Sequence, residues 1–150
     1  QFLEKLGDLY LERGIKPEVE IFDAGMLGIA DYFAKQGHLS TPCHYQLCLD
    51  VLGGMPATVE NLVYLVRHLP ENATWSAFGV GKSHLPILYA ALALGGHIRV
   101  GLEDNVYLSK GVPATNVQLV ERAVQAVRTF GKQPATPAQA REILGLKPLK

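Results

Sequence analysis

The sequence predicts an α/β fold on a parallel sheet, and three observations carry that reading. Short aliphatic runs alternate with helical patterns along the chain. Successive runs start roughly 25–30 residues apart, enough for a crossover helix and too far for a hairpin. Gly14, Gly37 and the Gly95–Gly96 pair stop three of the helical patterns. Strand–helix units in series need right-handed crossovers between parallel strands. On spacing alone the fold is either an open doubly wound sheet or part of a (β/α)8 barrel, which requires eight strands and about 250 residues.

The elements follow in order. Phe2, Leu3, Leu6, Leu9 and Tyr10 recur at helical spacing over 2–13, with no capping residue ahead of them. The chain is therefore expected to begin inside or just before an element. A short strand is predicted over 18–23 and a helix over 25–36. An aliphatic strand over 44–51 leads into a Gly-rich loop at 53–56. Thr58 then caps a helix over 59–68. The third strand covers 74–78, and its helix covers 83–94 with Pro86 near the first turn. The fourth strand spans 97–102. A long helix over 116–130 sets Val117, Val120, Val124 and Val127 on one side. Thr136 and Pro137 open a short final helix.

Composition excludes several classes. Apolar residues make up 48% and charged residues 19%, which is globular rather than disordered. Fourteen basic and fourteen acidic residues balance, which leaves no electrostatic footprint for nucleic acid or an anionic membrane. No apolar run reaches the roughly 18 residues of a membrane span, and no signal-peptide pattern opens the chain. Cys43 and Cys48 stand five apart, bracketing a short strand-like run, and by its alternation face opposite sides. They are expected to be reduced, buried thiols in a cytoplasmic protein.

The strongest constellation runs from His97 to Asn105. Strand alternation puts Arg99, Gly101 and Glu103 on one face, with Val100 and Leu102 on the other. Glu103, Asp104 and Asn105 then fall at the C-terminal end of a parallel strand, where such folds place their active groups. This suits a metal-ligating carboxylate beside a general base held by Arg99. An Arg99–Glu103 ion pair closing the strand is the plainer alternative. Glu20 is a further carboxylate on a strand face. Backbone N–H groups of Gly53, Gly54 and Met55 could receive an anionic oxygen. Lys82, after Gly79 and Gly81, could attract a phosphate or carboxylate. It is not a P-loop lysine, because Ser76 stands where that motif needs glycine. The five histidines show no HxH or HExxH spacing, and His44 and His97 belong to the opposite end of their strands.

Taken together, the stretch from Gly95 to Asn105 resembles the signature of the β-keto acid cleavage enzymes. Support comes from 17–26, from 52–58, from Trp75 and Ser76, and from 115–122 and 135–145. The resemblance implies a (β/α)8 TIM barrel of which this chain supplies roughly the last four units, with residues 1–150 forming the C-terminal part of one domain. It further implies Zn2+ held by Glu103 and an HxH pair that lies upstream of this chain, with the metal polarising a carbonyl as a Lewis acid. The implied reaction joins a β-keto acid with acetyl-CoA to give acetoacetate and a new acyl-CoA. Arg99 would position Asp104 as the base, with Glu20 as a further catalytic carboxylate. Gly53, Gly54, Met55 and Lys82 would contact substrate. Many relatives carry arginine where this chain has Lys82, and lysine cannot form the same bidentate contact. A homo-oligomer is implied as well. A non-catalytic half-barrel for assembly or binding, or a metal-independent barrel lyase, are the competing readings.

Overall fold

In the computed structural model, which describes residues 1–147, four parallel strands lie side by side in chain order. They are β1 (Glu18–Ile21), β2 (His44–Leu49), β3 (Thr74–Gly79) and β4 (His97–Ile98). The register sets Glu20 beside Gln46, Gln46 beside Ser76, and Ser76 beside His97. The helices are α1 (Phe2–Arg13), α2 (Ala24–Lys35), α3 (Val59–Arg67), α4 (His84–Ala93), α5 (Asn116–Thr129) and α6 (Pro137–Ile143).

The two faces of the sheet differ in kind. Ile21, Tyr45, Leu47, Leu49 and Ala77 point to one side and form the core with Ala30 of α2, Leu62 and Leu65 of α3, and Ile87 and Ala91 of α4. Glu20, Gln46, Ser76 and His97 alternate to the other side, which is polar. A doubly wound sheet carries helices on both faces and reverses its strand order. A monotonic order with helices outside and a polar inner face is the construction of a (β/α)8 barrel, of which this chain forms four units.

Local chemistry explains most boundaries. Asp23 caps α2, its Oδ1 accepting from Gly25 N (2.7 Å) and Met26 N (3.2 Å). This ends β1 at Ile21, earlier than the predicted strand. Thr58 caps α3, and Thr115 and Thr136 form capping boxes with Gln118 and Gln139. Cys43 and Cys48 are both free and buried. No helix among the described residues is long and apolar enough to cross a membrane.

The structure adds to or departs from the sequence reading in three places. The fourth strand stops at Ile98 rather than 102, because the chain turns at residues 101–104. A small antiparallel hairpin, β5 (Tyr107–Ser109) with β6 (Val112–Pro113), follows that turn and was not foreseen. The valine side of α5 turns only partly inward, with Val127 packed against the buried cluster. Leu119, Ala123 and Ala126 are buried, Ala123 and Ala126 against Leu88 and Leu92, while Val117 is 64% and Val120 50% exposed. The two alanines let α5 approach α4 closely, and this closeness fixes the buried side more than summed hydrophobicity does.

Candidate active site at the C-terminal ends of the strands

Arg99 is the centre of the site. It leaves the sheet one residue after β4, and its guanidinium lies over the Phe78 ring, with Cζ 4.4 Å from the centroid. From that seat it reaches three carboxylates. Nε donates to Asp104 Oδ2 at 3.0 Å and Nη2 to Asp104 Oδ1 at 3.1 Å, a bidentate fork. Nη2 also donates to Glu103 Oε2 at 2.7 Å, and Nη1 to Glu20 Oε1 at 3.2 Å. Burial alone would pull the guanidinium's pKa down. The hydrogen bonds and charge of Asp104, with Glu103 and Glu20 behind them, outweigh that and hold it above its usual range.

The three carboxylates are not equivalent. The Asp104 side chain is 6% exposed, Glu20 46% and Glu103 83%. Gly101 makes this arrangement: its carbonyl accepts from both Asp104 N (3.2 Å) and Asn105 N (3.0 Å), turning the chain back under Arg99. Asn116 Oδ1, at the start of α5, accepts from Leu102 N at 2.9 Å and pins the same turn. Arg99 and Glu103 therefore meet across a turn, not along a strand face as alternation implied. Asp104 joins the cluster through this turn, and Glu20 reaches it from β1.

The loops after β2 and β3 form the rest of this rim. Gly54 N–H donates to Val51 O (2.9 Å) and Met55 N–H to Phe22 O (2.8 Å). The Gly54 and Met55 N–H groups are therefore spent on the turn itself. Gly54 is needed for a steric reason, since a Cβ there would sit 2.7 Å from Phe22 O. Lys82 lies exposed in the short 3-10 turn Gly81–Ser83 that precedes α4. Sequence reasoning missed Asp50, Phe78, His84 and Arg122. His84 Nδ1 donates to Gly81 O (2.7 Å), which leaves Nε2 to accept from Arg122 Nη2 (2.7 Å). Arg122 Nη1 also donates to Leu108 O of the hairpin at 2.5 Å. Only the helical position of Arg122 facing α4 was a signal, and it was weak.

Tetrahedral zinc takes at least three protein ligands. Among the described residues no group of three His, Cys, Asp or Glu side chains could hold a metal ion. Glu103 is exposed and its Oε2 is taken up by Arg99, so these residues alone do not fit the ion. At the other end of the strands, His44 Nδ1 lies 2.9 Å from Thr74 Oγ1, and its ring is 6.1 Å from that of His97.

A barrel segment with an arginine–carboxylate cluster at the C-terminal ends of its strands belongs to the barrels that place their ligand sites on that face. The chain is a member of the β-keto acid cleavage enzyme family, whose pattern it matches over residues 1–146. It is 44% identical over 137 residues to the 3-keto-5-aminohexanoate cleavage enzyme of Acetoanaerobium sticklandii, covering 91% of this chain and 50% of that protein. It is 41% identical over 133 residues to the 3-dehydrocarnitine:acetyl-CoA trimethylamine transferase of Rhizobium meliloti, covering 89% and 44%. The solved structure of ObcA in binary complex with oxaloacetate matches with a TM-score of 0.80 at 21% identity, over 97% of this chain and 40% of that one, and shows the shared fold. The chain spans about half the length of the curated relatives it matches.

Proposed function

We propose that this chain carries the proton-transfer side of an acetyl-CoA-dependent β-keto acid cleavage enzyme. The observation that carries the reading is the Arg99 fork on a nearly buried Asp104, on a chain of this family. A bidentate guanidinium fixes the carboxylate plane and leaves each oxygen a further lone pair for a substrate proton. In the reaction, C2 of the β-keto acid loses a proton to Asp104. The resulting carbanion attacks the acetyl-CoA thioester carbonyl, and CoA thiolate leaves with the C–S electron pair. The thiolate adds to the original keto carbon, the bond from that carbon to C2 breaks, and Asp104 returns its proton to C2. The products are acetoacetate and a new acyl-CoA.

Glu20 shares Arg99 and sits half-exposed beside Asp104, where it orients the keto acid. Lys82 supplies the positive charge on the rim for an anionic substrate group. Glu103 would serve as one zinc ligand, with two more ligands from outside this chain. A homo-oligomeric, cytoplasmic enzyme completes the reading.

A second reading, a metal-independent lyase using Arg99 and Asp104, is favoured by one contact: Glu103 sits on Arg99 at 2.7 Å. The test of the first reading is acetyl-CoA-dependent consumption of β-keto acids by the full-length protein and by its Asp104→Asn variant. Loss of general-base catalysis lowers kcat by about 10²- to 10⁴-fold. Parent-like turnover in Asp104→Asn would remove Asp104 from the chemistry.

A further inference from the structure

Asp50 stands at the C-terminal end of β2 with φ 62°, the one positive φ outside glycine among the described residues. That left-handed backbone is uncommon for an L residue, and Asp and Asn tolerate it best. Asp50 makes three hydrogen bonds from this position. Its N–H donates to Met55 O (3.0 Å), its Oδ1 accepts from Ala57 N (2.9 Å), and its Oδ2 accepts from Ser83 Oγ (2.6 Å). The first two close the 50–57 loop on itself. The third crosses to the next loop and seizes the residue beside Lys82.

These bonds belong to a larger belt. Met55 N–H reaches back to Phe22 O after β1, and Gly81 N–H reaches forward to Asp104 O after β4. Loops from all four strands are thus tied in sequence, and Asp50 makes the side-chain link in the middle. Burying none of its carboxylate in the core, Asp50 does little for packing. Its bonds lower the carboxyl's pKa, the Ser83 hydroxyl most and the Ala57 N–H next, so the staple is anionic at neutral pH. Uncommon backbone at a strand end is a pointer to function when other contacts hold it there.

We propose that Asp50 is a positioning residue: through Ser83 it fixes the Gly81–Ser83 turn, so that Lys82 presents its ammonium to the anionic tail of the acyl-CoA substrate. The proposal rests on the functional reading above. It asks of Asp50 no contact with substrate, only the orientation of the turn that makes one.

Three variants of the full-length protein separate positioning from bulk stability. Ser83→Ala cuts the cross-loop bond alone. Asp50→Gly keeps the left-handed backbone and removes both side-chain bonds. Asp50→Asn keeps the backbone preference, keeps an oxygen for Ala57 N–H, and turns its amide N–H toward Ser83 Oγ. Loss of the Ser83 bond, shared by Ser83→Ala and Asp50→Gly, raises the KM for acetyl-CoA by about tenfold at most, with kcat held. Asp50→Asn should restore KM to within about twofold of the parent on the same scale. Thermal midpoints should not order the variants the same way. An unchanged KM in Ser83→Ala overturns the proposal while leaving the function intact. So does a loss shared equally by all three variants and matched by falling midpoints. A parent without acetyl-CoA-dependent turnover overturns the functional reading itself, and Asp50's role with it.

Discussion

The two ends of the same four strands are both polar, yet they handle their polar groups in opposite ways. At the N-terminal end burial drives groups toward neutrality. The pKa of His44 is pushed down to about 4, first by burial and then by the neighbouring His97 and Lys16. Burial likewise lowers His97 and raises Glu18. Ala140, Ile143 and Leu144, in and just after α6, close over this end and share a cavity wall with Glu18, His44 and His97. At the C-terminal end an arginine holds three carboxylates and its own pKa rises. Polarity on an inner face therefore does not mark a site. Retained, paired charge does, because keeping it away from water requires partners that neutral hydrogen bonding does not need.

The largest expected effect comes from breaking the charged end at its centre. Arg99→Met leaves Asp104 nearly buried without its fork, and stability should fall by about 2–4 kcal/mol, with turnover lost as well. Arg99→Lys keeps the charge without the bidentate geometry and should regain part of the stability but little of the activity. Urea unfolding of the two variants checks the order. Equal stability for Met and Lys would mean that charge at Arg99 contributes nothing to the fold.

The neutral end predicts a pH dependence of the opposite origin. The folded pKa of His44 lies at about 4, below its ordinary 6.5, so between those values the folded protein binds fewer protons than the unfolded chain. The stability tied to His44 is complete above the ordinary value and is lost as pH falls toward the folded one. Glu18, shifted upward, works in the reverse sense, its contribution fading as pH rises through its folded pKa. Thermal midpoints measured from pH 7 down to pH 4 should therefore fall less steeply in His44→Gln than in the parent. Parallel curves would place the acid sensitivity elsewhere.

What the sequence disclosed follows the same divide. The parallel pairing, the helix caps at Thr58 and Thr136, and the gathering of Glu103 and Asp104 near Arg99 all rest on periodicity and local chemistry that a single chain displays. The hairpin was illegible because its strands are three and two residues long, and Pro113 is a poor strand signal. The alternation from His97 to Leu102 hid the turn at Gly101, since a glycine fits both. Phe78 beneath Arg99 and the left-handed Asp50 depend on contacts made across strands, which no local pattern encodes. A helical wheel groups the valines of α5 on one side but does not see which side can approach the neighbouring helix.

The smallest expected effect on stability carries the sharpest test at the charged end. Glu103 is 83% exposed, so its 2.7 Å pair with Arg99 is a solvent-screened contact. Exposed pairs of this kind contribute about 0–1 kcal/mol, and Glu103→Gln should leave the unfolding midpoint nearly unchanged. Its effect on metal should be large if the carboxylate serves as a ligand, because a glutamine oxygen is neutral and binds zinc poorly in a donor set of this kind. Zinc content of the full-length protein, measured beside acetyl-CoA-dependent turnover, should thus drop from stoichiometric to trace in Glu103→Gln. If zinc is absent from an active parent, or is retained with full activity in the variant, the exposed carboxylate is only Arg99's third partner. The charged end would then work through Asp104 without a metal. A near-silent change in stability with a complete loss of zinc would instead show that this end of the sheet keeps its charge for chemistry and not for the fold.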